Sequence, residues 1–155
     1  MFVESRLVEL GISLPQPAAP VANYVPWVKS GNQLYVSGQL PLRDGVLAYT
    51  GKVGETVSIE DATQAARLCG INLLAQAKAA LGSLEKVRRV VKLGAFVSSA
   101  SDFTRQPVVA NGASDLMVAA FGETVGRHAR SAVGVNVLPP DAAVEIDAVF
   151  EIDPD

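Results

Sequence analysis

Arg130 and Glu145 lie 15 residues apart near the end of a 155-residue chain, the first within HARSAVGVNVLPP and the second within AAVEIDAVFEI. A guanidinium presents a planar fork that binds a carboxylate through two parallel, charge-assisted bonds, a geometry that lysine lacks. A positioned glutamate takes a proton from attacking water and returns it to the departing atom. These are the chemistries the two residue types could supply. The plainer alternatives are an arginine paired with a carboxylate of a neighbouring subunit and a glutamate on a solvated strand face.

Whether the two side chains meet depends on the strands that carry them. Ser131, Val133, Val135 and Val137 alternate as one apolar row, and Val144, Ile146, Ala148, Phe150 and Ile152 as another, so both runs read as half-buried strands. A period of two puts Arg130 with Ala132, Gly134 and Asn136, and Glu145 with Asp147 and Glu151, on the opposite faces, which are either wet or a site. Were LPPDA (138–142) a hairpin turn, Glu145 would fall beside Gly134 or Val135, leaving Arg130 ~13 Å away along the strand. Either the strands are not sheet neighbours, or another subunit completes the constellation.

The preceding elements can be read from periodicity and turn chemistry. Residues 1–20 read as a short amphipathic helix followed by a Pro/Ala-rich lead-in. NYVPWVKS (23–30) and NQLYVSGQL (32–40) flank Gly31 as consecutive strands, Pro26 confining the first to an edge or a bulge, and RDG (43–45) turns into the short run VLAY. Ser58 and Asp61 form an N-terminal capping pair, after which Ala62, Ala66, Cys69, Leu73, Ala77 and Leu81 recur at helical steps to Gly82. Residues 86–99 read as a strand, and Val109, Ala113, Leu116, Met117 and Ala120 mark a second long helix over 106–121. The order β(β)αβαββ predicts an α+β (α/β-like) fold, a mixed sheet with two long helices packed on one face. The other face carries small apolar and charged residues, as a subunit interface does, which predicts a homo-oligomer.

Length and a 49% hydrophobic content predict one domain over 1–155. Thirteen basic against 16 acidic residues, with a pI near 5.1, give no global attraction to phosphate backbones, which disfavours nucleic acid as a partner. A single cysteine, Cys69, and a single histidine, His128, cannot build an internal disulfide or a Cys/His metal site. With no run near the ~20 apolar residues of a membrane span, and no basic-then-apolar leader, a cytoplasmic protein is expected. GKVG (51–54) has the spacing of a KH-type RNA clamp but stands between a strand and a helix, and no phosphate-cradling glycine motif follows a strand.

Three stretches, in order and with their spacing, resemble the RidA/YjgF (reactive intermediate deaminase) family over residues 21–152. They are LYVSGQLPL (34–42), in which a strand runs into Ser-Gly-Gln-x-Pro, ARSAVGVNVLP (129–139) and VEIDAV (144–149). The resemblance implies a chorismate-mutase-like fold and a homotrimer with clefts between subunits. It also implies cofactor-independent hydrolysis of 2-imino acids, or their enamine tautomers, to 2-oxo acids and ammonia. It assigns Arg130 to the substrate carboxylate, Glu145 to the water step, and Tyr24, Ser37 and Gly38 to the pocket. Ala132 stands where the family often has a cysteine, and the family's helix-two asparagine falls near Asp115 by distance to Phe121 or on Asn111. The extended N-terminus and the NGASDL and GRHARS variants mark a longer subgroup and leave the physiological substrate open.

On the residues alone, Tyr24 is a pocket wall with a polar tip or a strand aromatic, and Ser37-Gly38 is a backbone approach to a ligand or a bulge. His128 is structural or on the surface, Cys69 belongs to the core, and Asp147 and Glu151 are interface or surface charges. Whether Tyr24, Trp27 and Phe121 line a pocket is open. Two competing functions remain: a non-catalytic binder of small carboxylates such as 2-oxo acids and, less favoured, a ribonuclease-like RNA-directed protein.

Overall fold

The computed structural model describes residues 2–20 and 22–154. β1 (Trp27–Ser30) and β2 (Gln33–Gln39) form an antiparallel hairpin across Gly31, whose φ of 60° suits the turn. β1 is four residues shorter at its start than its sequence reading because Pro26, which lacks the ladder donor, stands before it. β3 (Leu42–Arg43) and β4 (Val46–Leu47) make a separate small hairpin over Asp44-Gly45, both with positive φ.

The main sheet runs β1-β2-β7-β5-β6, with β5 spanning Val87–Ser98, β6 Ala129–Val135 and β7 Val144–Ile152. Only β5 and β6 are parallel, joined by a helix as a crossover requires. The last two strands are not neighbours, because both pair with β5.

α2 (Ile59–Leu81) begins where Ser58 accepts a hydrogen bond from the Asp61 amide at 3.1 Å and ends at left-handed Gly82. α3 (Gln106–Gly126) extends past the predicted end at 121. Regular helix stops at Gly122 (φ 83°, ψ 169°), and a final turn follows the kink. α2 and α3 pack on each other and on one face of the sheet, burying Leu73, Leu93, Met117, Ile146 and Phe150. Phe121 lies in that core, its ring centroid 6.4 Å from that of Phe150, and Trp27 packs against the same core. α1 (Val3–Glu9) buries Val3 and Leu7 against α3 and the turn at Leu84–Lys86.

The β7 apolar row faces the helices as its alternation requires. β6 is the reverse of the expected arrangement. Arg130 and Ala132 pair with Leu93 and Ala95 on the helix-covered side, whereas Ser131 and Val133 pair with Gly94 and Phe96 on the uncovered side, where Val133 is 45% exposed. An edge strand meets α3 on one side only, so both of its rows stay partly open.

Candidate active site

Glu145 sits near the start of β7 on the uncovered sheet face, opposite Phe96 of β5. On its other flank β2 carries a bulge. Val36 pairs with Ala148 and Gln39 with Ile146, so Ser37 and Gly38 together oppose Asp147 alone. A Cβ on Gly38 would come within 2.9 Å of the Glu145 carboxyl carbon, so glycine is what lets the carboxyl lie against the bulge. The bulge reading of Ser37-Gly38 is the one seen, and what approaches its backbone is the Glu145 carboxyl. Ser37 is fixed by its hydroxyl, donating to the Val25 carbonyl at 2.8 Å, and by its amide, donating to the Pro26 carbonyl at 2.9 Å.

Tyr24, Ser37, Gly38 and Glu145 line one cavity of about 530 Å³. Burial, and then the charge of Asp147 on the same face, raise the Glu145 pKa. Asp147 is raised as well, chiefly by burial, with the Gly94 amide and Lys92 opposing. A glutamate so placed holds its proton to higher pH than a solvated one, as a group that both takes and returns a proton needs.

Arg130 occupies the other side of the sheet. Its Nη1 donates to Asn111 Oδ1 at 2.8 Å and to Ser114 Oγ at 3.1 Å, both on α3. Asn111, not Asp115, is thus the helix residue that faces the arginine. His128 stands behind Ser114, with Nε2 2.8 Å from the hydroxyl and Nδ1 2.7 Å from the Gly126 carbonyl. A carbonyl only accepts, so Nδ1 carries the hydrogen. In the neutral ring Nε2 accepts from Ser114, whose oxygen then takes the arginine N–H. Two nitrogens of the guanidinium, Nη2 and Nε, make no hydrogen bond among the described residues.

Arg130 and Glu145 do not meet within one protomer. β6 and β7 flank β5, about 10 Å apart across the sheet, and their positions are offset three residues, about 10 Å, along it. They also point to opposite faces. The chain thus carries two separated candidate half-sites.

Two further residues hold the Glu145 half-site and escape a reading of motifs. Asn72 Nδ2 donates to the Leu40 and Leu42 carbonyls at 3.2 and 3.1 Å, and Gln76 Nε2 to the Ala18 carbonyl at 2.9 Å. Both are buried on α2. Their signal was present as two amides, one turn apart, interrupting an apolar helix surface. Among the described residues no three His, Cys, Asp or Glu side chains cluster to hold a metal, and no helix is long and apolar enough to cross a membrane.

The site rests on an α+β architecture of the chorismate-mutase-like kind: a mixed sheet, helices on one face, and an acidic strand beside a Ser-Gly bulge. Residues 4–151 match the family model described as "YjgF/chorismate_mutase-like, putative endoribonuclease". The chain belongs to the YjgF/RidA family. It is 53% identical over 150 residues to Protein TCP17 of Trypanosoma cruzi, covering 97% of this chain and 94% of that protein. It is 32% identical over 142 residues to a 2-iminobutanoate/2-iminopropanoate deaminase of Dermatophagoides farinae, covering 92% and 95%. The crystal structure of Atu1372, a protein of unknown function from Agrobacterium tumefaciens, superposes with a TM-score of 0.92 at 55% identity, covering 97% and 92%.

Proposed function

We propose that the protein hydrolyses 2-imino acids and their enamine tautomers to 2-oxo acids and ammonia, in clefts formed between subunits of a homotrimer. The observation that carries the reading is the Glu145 carboxyl seated against Gly38 in a cavity with Ser37 and Tyr24, its pKa raised. Family membership and the relative named for imine deamination support the reaction class.

The free edges of Arg130 take the substrate carboxylate as a fork. Water attacks the iminium carbon, the C=N π pair moves to nitrogen, and Glu145 removes a proton from the water. Glu145 then returns that proton to the amine nitrogen of the tetrahedral adduct. The C–N bond breaks with its pair on nitrogen, the remaining hydroxyl proton is lost, and the C=O bond forms. Such positioned proton transfer contributes typically ~10²- to 10⁴-fold. Because the two half-sites point away from each other in one chain, Arg130 of one subunit serves Glu145 of the next.

The test measures 2-oxo acid released from 2-iminopropanoate, generated in place by an amino-acid oxidase with peroxide removed. Wild type accelerates release, and folded Arg130→Ala and Glu145→Gln oligomers do not. Activity retained in folded Arg130→Ala would refute the role of the arginine. Reassembling those two inactive variants together at equal ratio restores about a quarter of the wild-type sites if each site draws on two subunits, and none if it draws on one. A carboxylate binder would instead bind 2-oxo acids saturably without accelerating release.

A further inference from the structure

We infer that the cavity beside Glu145 selects 2-imino acids with bulky apolar side chains, such as those derived from leucine and phenylalanine, rather than 2-iminopropanoate. The inference rests on the deaminase reading and specifies its substrate class. A volume of about 530 Å³ lies in the range that encloses drug-sized ligands, far more than a methyl group fills.

The walls argue the same way. Beyond Tyr24 and Ser37, most of the lining is apolar, including Ala19, Pro20, Leu40 and Pro139. Glu145 is the only charged residue among the described lining, so an acidic substrate side chain would be desolvated there without a partner of opposite sign.

The wall is also preorganised. Proline fixes φ at Pro20 and Pro139 in the wall, Gln76 pins the lead-in at the Ala18 carbonyl, and Asn72 pins the carbonyls of Leu40 and Leu42. The lead-in thus does more than connect α1 to β1: Ala18, Ala19 and Pro20 form part of the wall of the cavity that holds Glu145.

The test compares kcat/KM for 2-imino acids generated from alanine, leucine, phenylalanine and glutamate. A buried methylene is worth about four-fold, so the leucine- and phenylalanine-derived substrates should exceed the alanine-derived one by at least about ten-fold, with the glutamate-derived one lowest. Ala19→Trp, at the exposed rim, should lower the phenylalanine-to-alanine ratio by about ten-fold. Equal values for the alanine- and phenylalanine-derived imines, or a ratio untouched by Ala19→Trp, would overturn the inference while leaving the deaminase reading intact. If no imine is turned over, the deaminase reading falls. The cavity is then judged by titration with phenylpyruvate and pyruvate, where tighter phenylpyruvate binding upholds the selection and equal affinity overturns it.

Discussion

At Glu145, burial and the like charge of Asp147 act together, and the consequences for stability and activity can be separated. A carboxyl whose pKa is raised on folding binds more protons in the native than in the unfolded state. Its contribution is therefore most favourable at low pH and is lost as pH rises through the raised value. Glu145→Gln should resist urea better than wild type at pH 7, with the gap narrowing toward pH 4, while turnover is lost. In wild type the acid limb of kcat/KM should lie above the ordinary glutamate range, and Asp147→Asn should move it to lower pH, a shift read directly from the pH profile. Across the sheet, Ser114 is a positioning residue for Arg130. If Arg130 binds the substrate as proposed, Ser114→Ala should raise KM about ten-fold with little change in kcat, because the lost bond orients the guanidinium. A purely structural role would lower the melting temperature without that split. Arg130, Glu145, Ser37 and Gly38 could be singled out in sequence because they belong to spaced motifs; of these, Glu145, Ser37 and Gly38 line one cavity with Tyr24, and Arg130 stands apart. Asn111 could not be separated from Asp115, because only the helix phase relative to β6 decides which one faces the arginine.

At the level of elements, periodicity and punctuation located both long helices and every strand of the main sheet. A capping serine and a left-handed glycine bound α2, and such signals are local to the chain. Orientation was less legible. The valines of β6 alternate as a core-facing row does, yet they lie on the uncovered side, because α3 and β5 decide which face of an edge strand is covered. The kink in α3 was invisible for a related reason: Gly122 follows a strong helical pattern, and its backbone sits against the Arg6 guanidinium of α1, a contact distant in sequence. The α2–α3 crossing yields its own prediction. A Cβ on Gly112 would stand 2.0 Å from the Thr63 carbonyl oxygen, a backbone atom that cannot turn aside. Gly112→Ala should cost about 3 kcal/mol by urea denaturation and, by pushing α3 off α2, displace neighbouring Asn111 and weaken substrate binding in whatever folded fraction remains.

For the whole molecule, the sheet face opposite the helices, which carries Glu145, is the broad face that the helices leave open to a second copy. Val133 and Tyr35 are exposed there, and a shallow cavity runs past Lys92, Gly94, Ser131 and Asp147. Val133→Asp should give a folded species of monomer mass by analytical ultracentrifugation, with native far-UV dichroism and no turnover, because burying an unpaired charge in an apolar contact is costly. The cysteine count has a different consequence. Cys69 is fully buried on α2, its Sγ 3.6 Å from the Val144 carbonyl, and burial pushes its thiol well above the ordinary range, while Ala132 leaves the strand of Arg130 without sulfur. Oxidation of amino acids yields peroxide along with imines, and the imine carbon is itself electrophilic toward thiolates. A fold that keeps its one sulfhydryl protonated and sealed presents neither reagent with a thiolate to consume, so alkylation of Cys69 must wait for the chain to unfold.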